Sequence, residues 1–388
     1  MTRRFDVIVA GAGGMGTAAA AHLARRGASV LALDRFPPGH ARGSSHGQTR
    51  LIRLAYFEHP DYVPLLLRAR ASWRDLERET AATLLTECGL LSAGPAAGPL
   101  LAGTLRSARD HGLEVERLSG GEATARWPAF RIPDPWDAVF EPAAGHLAVE
   151  ACVRAHAEVA VRHGGVIEPE HDVRGWRVEG DAVLVETSRE TVAGSRLVLC
   201  PGPWAAGLLR LPALRFNVLR KSLFWYAPAD SLTAADAAAL PTYAFDTPRG
   251  FFYGFPLLDG RGLKLAEHTG GREVADPFAV DRAIDPEEQA AIEGWSAKHL
   301  PGVSLTRTAH EVCLYTMSPD HHFVVGLHPE HPQVALAAGF SGHGFKFASA
   351  IGEVLADLAL TGTTPLPVGF LAPTRPALQR GTAIEHAG

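Results

Sequence analysis

The amino-acid sequence predicts an α/β (α+β) protein, in which a discontinuous nucleotide-binding domain carries an inserted domain with a mixed sheet. Two modules of strand, glycine-rich turn and helix support this prediction, because they lie at opposite ends of the chain. The first joins the strand 5–10 to the turn 11–16, and the second joins the strand 334–338 to the turn 339–344. A chain of 388 residues also exceeds the usual size of one hydrophobic core, so we expect more than one domain.

The first module contains a complete strand–helix–strand unit. Residues 5–10 are rich in Val and Ile, which favours a buried strand of a parallel sheet. After the glycine turn, an alanine-rich stretch of helical composition runs to Arg26, and Gly27 is predicted to end this helix. Residues 30–33 form a second apolar strand that closes at Asp34. The unit is therefore predicted to be a βαβ motif.

The rest of the chain alternates helices with short strands. Composition and periodicity predict helices over 62–80, 146–162, 286–299 and 347–360, and strands over 182–186, 196–200, 221–226 and 251–255. We therefore assign residues 1–85, 146–213 and 321–388 to the nucleotide-binding domain, and residues 86–145 and 214–320 to the inserted substrate domain.

The composition is that of an ordinary globular enzyme, with 46% hydrophobic, 20% charged and 8% aromatic residues. The formal net charge is −5 and the Lys and Arg residues are scattered, which argues against nucleic acid or an anionic membrane as a partner. No uninterrupted apolar run approaches the roughly 18 residues that a membrane span requires. Four widely spaced cysteines without a CxxC pair favour a reducing, cytoplasmic location.

Gly11, Gly13 and Gly16 fit the GxGxxG spacing of a Rossmann-like dinucleotide site. The first glycine permits the tight turn, the second lets the backbone approach a pyrophosphate, and the third lets helix and strand pack closely. Asp34 lies at the distance expected for binding a ribose hydroxyl. The fingerprint fits FAD and NAD equally, and the adjacent Arg35 admits an NADP-binding interpretation beside that of a solvated side chain.

Four stretches extend this pattern over nearly the whole chain. They are the fingerprint with Asp34, the segment 43–53, the segment 253–268, and the segment from Cys313 to the second glycine turn and its Phe-Lys-Phe sequence. Together they resemble the family of monomeric sarcosine oxidases and N-methyltryptophan oxidases. The resemblance implies FAD rather than NAD, and a monomeric oxidase that acts on a small amino acid and passes electrons to O₂, forming hydrogen peroxide.

The resemblance also assigns flavin contacts outside the fingerprint. Cys313 occupies the position at which the family attaches flavin covalently through a thioether. From the residue type alone, a buried core thiol is the ordinary interpretation of a free cysteine. The other family positions that contact the cofactor correspond here to Ser44, Thr49, Arg50, Gly342, Gly344 and Lys346.

Oxidation of a secondary amine moves a hydride equivalent from carbon to flavin, so the protein must orient the substrate and stabilise growing negative charge. An amino acid also offers a carboxylate, which Arg and Lys side chains bind well. Arg53 and Lys346 match the family positions of that clamp. His268, Tyr253 and Tyr315 match family positions that line the substrate cavity.

Arg50 and Lys264 complete the catalytic set that the resemblance implies. Lys264 lies in an alternating Gly-Leu-Lys-Leu sequence, which places it on one face of a short strand. In the family this lysine lies beside the flavin, where a fixed cation would stabilise superoxide as it forms; the pattern alone would favour an outward-facing lysine. The histidines between 310 and 331 lack HxxxH or HExxH spacing, so no metal site is predicted.

The sequence therefore predicts an FAD-dependent oxidase of small secondary amino acids, with sarcosine or a similar N-methyl amino acid as substrate. L-Pipecolate, L-proline and N-methyltryptophan stay open, because Ser45, Gln48 and the segment 57–60 depart from the pattern of sarcosine oxidases. Two other classes compete with an oxidase. One is a flavin amine dehydrogenase that uses a carrier protein, against which Lys264 argues. The other is a non-catalytic flavin-binding subunit, against which the retained candidate residues argue.

Overall fold

The computed structural model of the chain describes residues 2–212 and 214–379. Residues 380–388, which end the last predicted segment of the nucleotide-binding domain, lie outside the described residues. The helices are α1 Gly14–Arg25, α2 Tyr62–Thr80, α3 Pro99–His111, α4 Gly120–Arg126, α5 Val149–Arg162, α6 Ala205–Leu208, α7 Ala234–Ala238, α8 Pro286–His299 and α9 Ala348–Thr361. The strands are β1 Arg4–Ala10, β2 Val30–Leu33, β3 Thr49–Ile52, β4 Leu85–Thr86, β5 Leu90–Pro95, β6 Glu116–Ser119, β7 Trp136–Glu141, β8 Gly145–Ala148, β9 Val166–Glu168, β10 Val173–Glu179, β11 Ala182–Thr187, β12 Thr191–Leu199, β13 Asn217–Pro228, β14 Thr242–Thr247, β15 Gly250–Gly254, β16 Leu263–Glu267, β17 Arg272–Glu273, β18 Val303–Met317, β19 Val324–His328 and β20 His331–Ala338.

The first large sheet is built around β1, which pairs in parallel with β2 on one side and β12 on the other. β9 extends the parallel part beyond β2, and β20 extends it beyond β12. Antiparallel strands β11 and β19 are added to β12 and β20. Val7 and Val9 face the core cluster that includes α1 and α9, whereas Ile8 and Ala10 face a second cluster. The central strand is buried on both faces, as its apolar sequence predicts.

The second large sheet has the strand order β17-β13-β16-β15-β14-β5-β7-β6, with β18 paired to β13. The long antiparallel pair of β13 and β18 places Lys221 opposite Cys313. On the other side of β13, Trp225 pairs with Lys264 of β16. Directly opposite residues of paired strands share a face, and Lys221 and Trp225 lie on the same face of β13. The register therefore places Cys313 and Lys264 on one face of the sheet, on the two strands that flank β13.

A small third sheet joins the polar segment after the first βαβ unit to the rest of the molecule. β3 pairs with β8 in antiparallel fashion, so that Arg50 lies opposite Leu147. β8 also pairs with β4, which fixes the position of β3 relative to α2. Arg50 therefore lies on a paired strand, and Arg53 follows one residue after its end.

The helix bounds agree with the predictions for 62–80 and 286–299, and the helix predicted over 347–360 is α9, displaced by one residue at each end. The helix predicted from His146 begins at Val149, because His146 belongs to β8. α8 begins where Asp285 accepts a hydrogen bond from the Glu287 amide at 2.9 Å, with Pro286 in the first turn. Within the described residues, no helix combines the length and the apolar character needed to cross a membrane.

Candidate active site

A cavity of about 530 Å³ is lined by residues of both large sheets and of the loops that follow their strands. The predicted site residues on its surface are Gly11, Gly13, Asp34, Ser44, Arg50, Arg53, Tyr253, His268, Tyr315, Gly342, Gly344 and Lys346. Gly16, Thr49 and Cys313 lie behind this surface and contact its members. Lys264 lies one step further back and contacts Thr49. The structure therefore brings the whole predicted set together.

The glycine turn has the shape that a pyrophosphate requires. Gly11 has a φ of +99°, and a Cβ added to it would lie 2.2 Å from the Cys200 carbonyl oxygen. A Cβ on Gly16 would lie 1.7 Å from the Gly11 oxygen. A Cβ on Gly13 would find only the Ser45 hydroxyl, at 3.9 Å. The second glycine thus borders open space at the start of α1, so the residues present fit a dinucleotide such as FAD.

Asp34 ends β2 at the edge of the same cavity. One carboxylate oxygen accepts a hydrogen bond from the Ala12 amide at 2.7 Å, and the other accepts from the Phe36 amide at 2.9 Å. These bonds orient the carboxylate beside the glycine turn and leave part of it at the cavity surface. This placement suits an acceptor for ribose hydroxyls.

Two aromatic residues that the sequence patterns did not single out border the cavity near Asp34. Trp204 follows β12 and stacks on Phe278, with ring centroids 5.2 Å apart and an interplanar angle of 29°. The guanidinium group of the exposed Arg35 lies over the ring of Phe278, 4.2 Å from its centroid. Phe278 belongs to the loop between β17 and α8, so the second sheet contributes to the nucleotide end of the cavity. No local pattern could have identified this contact, because the two aromatic residues are far apart in sequence.

The polar loop before β3 is held by a carboxylate on α5. Glu150 Oε1 accepts hydrogen bonds from the Gly47 amide at 2.7 Å and the Gln48 amide at 3.1 Å. The Gln48 side chain leaves the loop, donating to Asp259 and accepting from Trp225 Nε1 at 2.7 Å. The glutamine that departs from the family pattern therefore ties this loop to the second sheet.

Lys264 is fully buried behind that loop. Its ammonium group donates to the carbonyl oxygens of Gly47 at 2.5 Å and Thr49 at 2.9 Å, and to the Thr49 hydroxyl at 3.2 Å. Burial lowers the pKa of Lys264 well below its ordinary value of 10.5, with a further contribution from Arg50. Three surrounding acceptors favour the charged form. The sequence pattern alone favoured an outward-facing lysine, whereas the structure shows that this side of the strand faces the interior.

The Cys313 thiol lies against the guanidinium group of Arg50. Its sulfur is 3.0 Å from Arg50 Nη2 and 3.4 Å from the Ser44 carbonyl oxygen. Arg50 itself donates to the carbonyl oxygens of Ser44 and Thr49, each at 2.8 Å. The thiol is 1% exposed and separated from water.

Arg53 is a buried cation that is already paired. Its Nη2 lies 2.6 Å from Glu58 Oε1, and its guanidinium group lies over the rings of Tyr56 and Phe57 at 4.8 and 4.4 Å. Arg53 Nε and Glu58 Oε2 are buried without a hydrogen-bond partner among the described residues. Arg53 also lines the cavity, so the charge of its guanidinium group acts on a carboxylate that enters it.

Glu141 fixes the backbone that follows Arg53, a role that no sequence pattern indicated. It lies at the end of β7, and its Oε1 accepts hydrogen bonds from the amides of Leu54 at 2.6 Å and Ala55 at 3.3 Å. Burial raises the pKa of Glu141 above its ordinary value. These two bonds hold the chain in place directly after Arg53.

Lys346 lies on the short helical turn before α9 and points into the cavity. Its ammonium group donates to the His343 carbonyl oxygen at 2.6 Å and to the Tyr56 hydroxyl at 3.4 Å. Its own carbonyl oxygen accepts from Trp73 Nε1 at 2.9 Å. Burial, assisted by Arg53, lowers the pKa of Lys346 to about 7.

His268 and two tyrosines form a wall of the cavity near these cations. His268 Nδ1 lies 3.4 Å from the Tyr315 hydroxyl. Burial raises the pKa of Tyr253 and of Tyr315, which keeps both phenols protonated at neutral pH. Gly342, with a φ of +80°, packs so closely that an added Cβ would lie 2.3 Å from the Tyr315 ring. The second glycine turn therefore shapes this wall.

Comparison with known proteins places this geometry in a family. Residues 6–358 match the family model described as FAD dependent oxidoreductase. A monomeric sarcosine oxidase of Streptomyces avermitilis is 40% identical to this chain, over 97% of this chain and 98% of the length of that enzyme. An N-methyl-L-tryptophan oxidase of Yersinia pestis is 35% identical over 96% of this chain and 99% of its own.

A solved structure supports the same assignment. The open form of NikD, an unusual amino acid oxidase essential for nikkomycin biosynthesis, superimposes with a TM-score of 0.84. The two chains are 26% identical, and the match covers 96% of this chain and 98% of NikD. This chain belongs to the FAD-dependent oxidoreductase family, in the group of the monomeric sarcosine oxidases and N-methyltryptophan oxidases, and its cofactor is FAD.

Proposed function

We propose that this protein is an FAD-dependent oxidase of small secondary amino acids, with sarcosine or a similar N-methyl amino acid as substrate. It would oxidise the carbon–nitrogen bond to an imine and reduce O₂ to H₂O₂. The observation that carries the proposal is the pair of buried cations, Arg53 and Lys346, in the same cavity as the dinucleotide turn. Two buried cations facing one cavity suit an anionic substrate group.

The substrate carboxylate binds between these cations and fixes the position of the amine. Arg53 offers the positive charge of its guanidinium group at the cavity surface, and Lys346 offers the proton that its protein acceptors leave free. Two-point binding of the carboxylate orients the carbon to be oxidised, which lowers the entropy cost of reaching the transition state. A substrate without a carboxylate would lose both contacts.

His268, Tyr253 and Tyr315 then face the amine side of the bound substrate. The phenols, which stay protonated, act as hydrogen-bond donors or acceptors, and His268 next to Tyr315 can hold a proton at a ring nitrogen. The bound FAD supplies the acceptor for the hydride equivalent. Lys264 supplies a fixed positive charge behind the loop that carries Thr49 and Arg50, and we assign to it the promotion of the reaction with O₂.

The cofactor assignments follow the same pattern. We propose that Gly11, Gly13, Gly16 and Asp34 bind the nucleotide part, and that Ser44, Thr49, Arg50, Gly342, Gly344 and Lys346 surround the flavin part. Cys313 would form the covalent thioether, because its thiol lies 3.0 Å from Arg50, which lines the flavin part of the cavity. We also retain the division into domains at residues 85, 145, 213 and 320, and a monomeric protein, as parts of this proposal.

The test is made on the purified yellow protein. Acid precipitation should leave the flavin in the pellet, and the Cys313→Ala variant should release it into the supernatant. Peroxide is then assayed separately with sarcosine, L-pipecolate, L-proline and N-methyl-L-tryptophan, and we expect it to form with sarcosine. Peroxide with only a cyclic or bulky amine would change the substrate, and flavin reduction without peroxide would favour a dehydrogenase that uses a carrier protein. Absence of flavin reduction by every amine would refute the proposed function.

A further inference from the structure

Lys346 is one end of a buried hydrogen-bond chain, and the other members of this chain have no role in the function proposed above. The Tyr56 hydroxyl, which accepts from Lys346 Nζ at 3.4 Å, is 2.6 Å from His343 Nδ1. The other ring nitrogen of His343 is 3.1 Å from the His321 carbonyl oxygen. Tyr56 is fully buried and lies behind the cavity wall, where its hydroxyl contacts Lys346 and its ring packs against Arg53.

The direction of each hydrogen bond follows from the chemistry of the groups. A carbonyl oxygen only accepts, so His343 Nε2 carries the proton that is donated to His321. Burial lowers the pKa of His343 well below 6.5, so the ring is neutral and Nδ1 is an acceptor. Burial also raises the pKa of Tyr56 well above 10, so its hydroxyl donates to Nδ1 and turns its oxygen lone pairs towards Lys346.

Both ends of this chain are held rigidly. Trp73 Nε1 donates a hydrogen bond to the carbonyl oxygen of Lys346 and so fixes its backbone. The ring of Phe347 packs edge-on against the ring of Tyr56, with the centroids 5.3 Å apart. At the other end, the segment around His321 is anchored by Arg375, which binds the Asp320 carboxylate at 2.7 Å with two nitrogen atoms. Because both ends of this hydrogen-bond chain are fixed, the chain can hold the ammonium group of Lys346 in one orientation.

The number of protons on Lys346 decides what it presents to the cavity. The charged ammonium group has three, of which one is donated to the His343 carbonyl oxygen and one to Tyr56, and the third is left for a ligand. The neutral amine has only two, both used by the protein, so it would turn a lone pair towards the ligand. Only the charged form can donate to a carboxylate.

We infer that Tyr56 and His343 are positioning residues that hold the Lys346 ammonium group in its charged, ligand-facing form for carboxylate binding. This inference rests on the proposed function, in which Lys346 binds the substrate carboxylate. The other groups that face Lys346 are Arg53 and Arg50, which disfavour its positive charge, and Glu58, which favours it. Tyr56 adds an oriented oxygen to the favourable side of this balance.

The sign of the pH dependence follows directly. Lys346 loses its proton as the pH rises through about 7, so carboxylate affinity should be highest at pH 6 and fall above neutrality. Removing the Tyr56 hydroxyl takes away one acceptor of the charged form and should move this fall to lower pH. At pH 6 a pKa lowered by one unit would still leave about half of the variant lysine charged, so the affinities should then differ by only about twofold.

The experiment is a calorimetric titration of holoenzyme with propionate, a carboxylate without an amine, between pH 6 and 9. At pH 8 we expect Tyr56→Phe to bind propionate about five- to tenfold more weakly than the wild type does. The reason is that lowering the pKa of Lys346 by one unit leaves about one tenth as much of the charged form at this pH. His343→Phe should shift the profile in the same direction, since it removes the acceptor that orients Tyr56. The flavin absorbance spectrum reports whether each variant retains its fold.

Two controls separate this inference from the proposed function. Lys346→Met should bind propionate weakly and with little pH dependence; wild-type binding by this variant would refute the carboxylate clamp and this inference together. If Lys346→Met loses binding but Tyr56→Phe and His343→Phe follow the wild-type profile, only the inference fails. A loss of affinity that is equal at every pH in both variants would also overturn it, because packing defects carry no proton dependence.

Discussion

Lys264 illustrates at the scale of a single residue how a buried charge is placed for a reaction. All three of its protons face oxygen acceptors of the loop 47–49, so the ammonium group has a defined position and little freedom. Its neighbours Trp225 and Phe255 supply aromatic faces at 5.6 and 4.9 Å. Such a fixed cation can stabilise anionic oxygen species without reorganisation.

Replacing Lys264 by Met should therefore slow reoxidation of the reduced flavin by O₂ about 100-fold, the usual effect of removing one electrostatic contact to a developing anion. Reduction of the flavin by substrate should change little. Stopped-flow absorbance measures the two half-reactions separately. Because three buried acceptors lose their donor, the free energy of unfolding should also fall by about 1–3 kcal/mol.

The matched control is Lys221→Met, which removes another buried ammonium group from the same sheet, one that donates to the Thr269 carbonyl oxygen. This variant should lose stability without a comparable loss of oxygen reactivity. Unchanged reoxidation in Lys264→Met would remove the role assigned to this lysine, and equal slowing in both variants would make the effect structural.

At the scale of elements, the second glycine turn shapes the substrate wall through a single close approach. Gly342 has a φ of +80° and leaves no space for a Cβ next to the Tyr315 ring. Gly362, which ends α9 with a φ of +79°, has nothing within 4 Å of such a Cβ. The two glycines share the backbone conformation and differ in their surroundings.

Gly362→Ala should therefore lower the free energy of unfolding by about 1 kcal/mol, the cost of a left-handed conformation for alanine. Gly342→Ala should lose about 1–3 kcal/mol more through overpacking, and should reduce kcat because Tyr315 must move. Urea unfolding and steady-state assays of both variants measure the difference. Equal stability losses with unchanged kcat would show that the Tyr315 wall tolerates the methyl group.

The elements that the sequence predicted best are those with a clear local signal. α2 has the predicted bounds because it carries a long amphipathic face, and α8 has them because Asp285 and Pro286 mark its start. The start of α5 was predicted three residues early, since the short central strand β8 has no periodicity of its own and exists through pairing with β3 and β4. The division into domains stays a prediction, although the strands of each large sheet fall within its predicted segments.

The candidate site divides in the same way between local and distant contacts. The glycine turn and Asp34 could be predicted because their spacing along one βαβ unit reflects their geometry. The Tyr56–His343 contact joins residues 287 positions apart, and no local pattern encodes it. Glu141 and Phe278 were missed for the same reason, because each acts on a segment that is remote in sequence.

At the scale of the whole molecule, the cavity depends on both large sheets. The first sheet supplies the glycine turn, and the loop with Phe278 brings the second sheet to the nucleotide end. A ligand that fills this cavity contacts both sheets in the folded state only. Binding should therefore stabilise the entire fold by mass action, in proportion to the logarithm of ligand concentration over the dissociation constant.

The choice of cofactor can be tested by this stabilisation. Flavin-free Cys313→Ala protein should gain about 2.7 kcal/mol at an FAD concentration 100 times the dissociation constant, which we expect to raise its melting temperature by roughly 3 °C. NADP should give no comparable shift, because the chain belongs to the FAD-dependent oxidoreductase family and the Arg35 guanidinium group is already stacked on the Phe278 ring. Differential scanning calorimetry with FAD, NAD and NADP compares the three. Stabilisation by NADP as large as that by FAD would contradict the assignment of this cavity to FAD, and equal melting temperatures without and with FAD would mean that the cavity does not couple the two sheets.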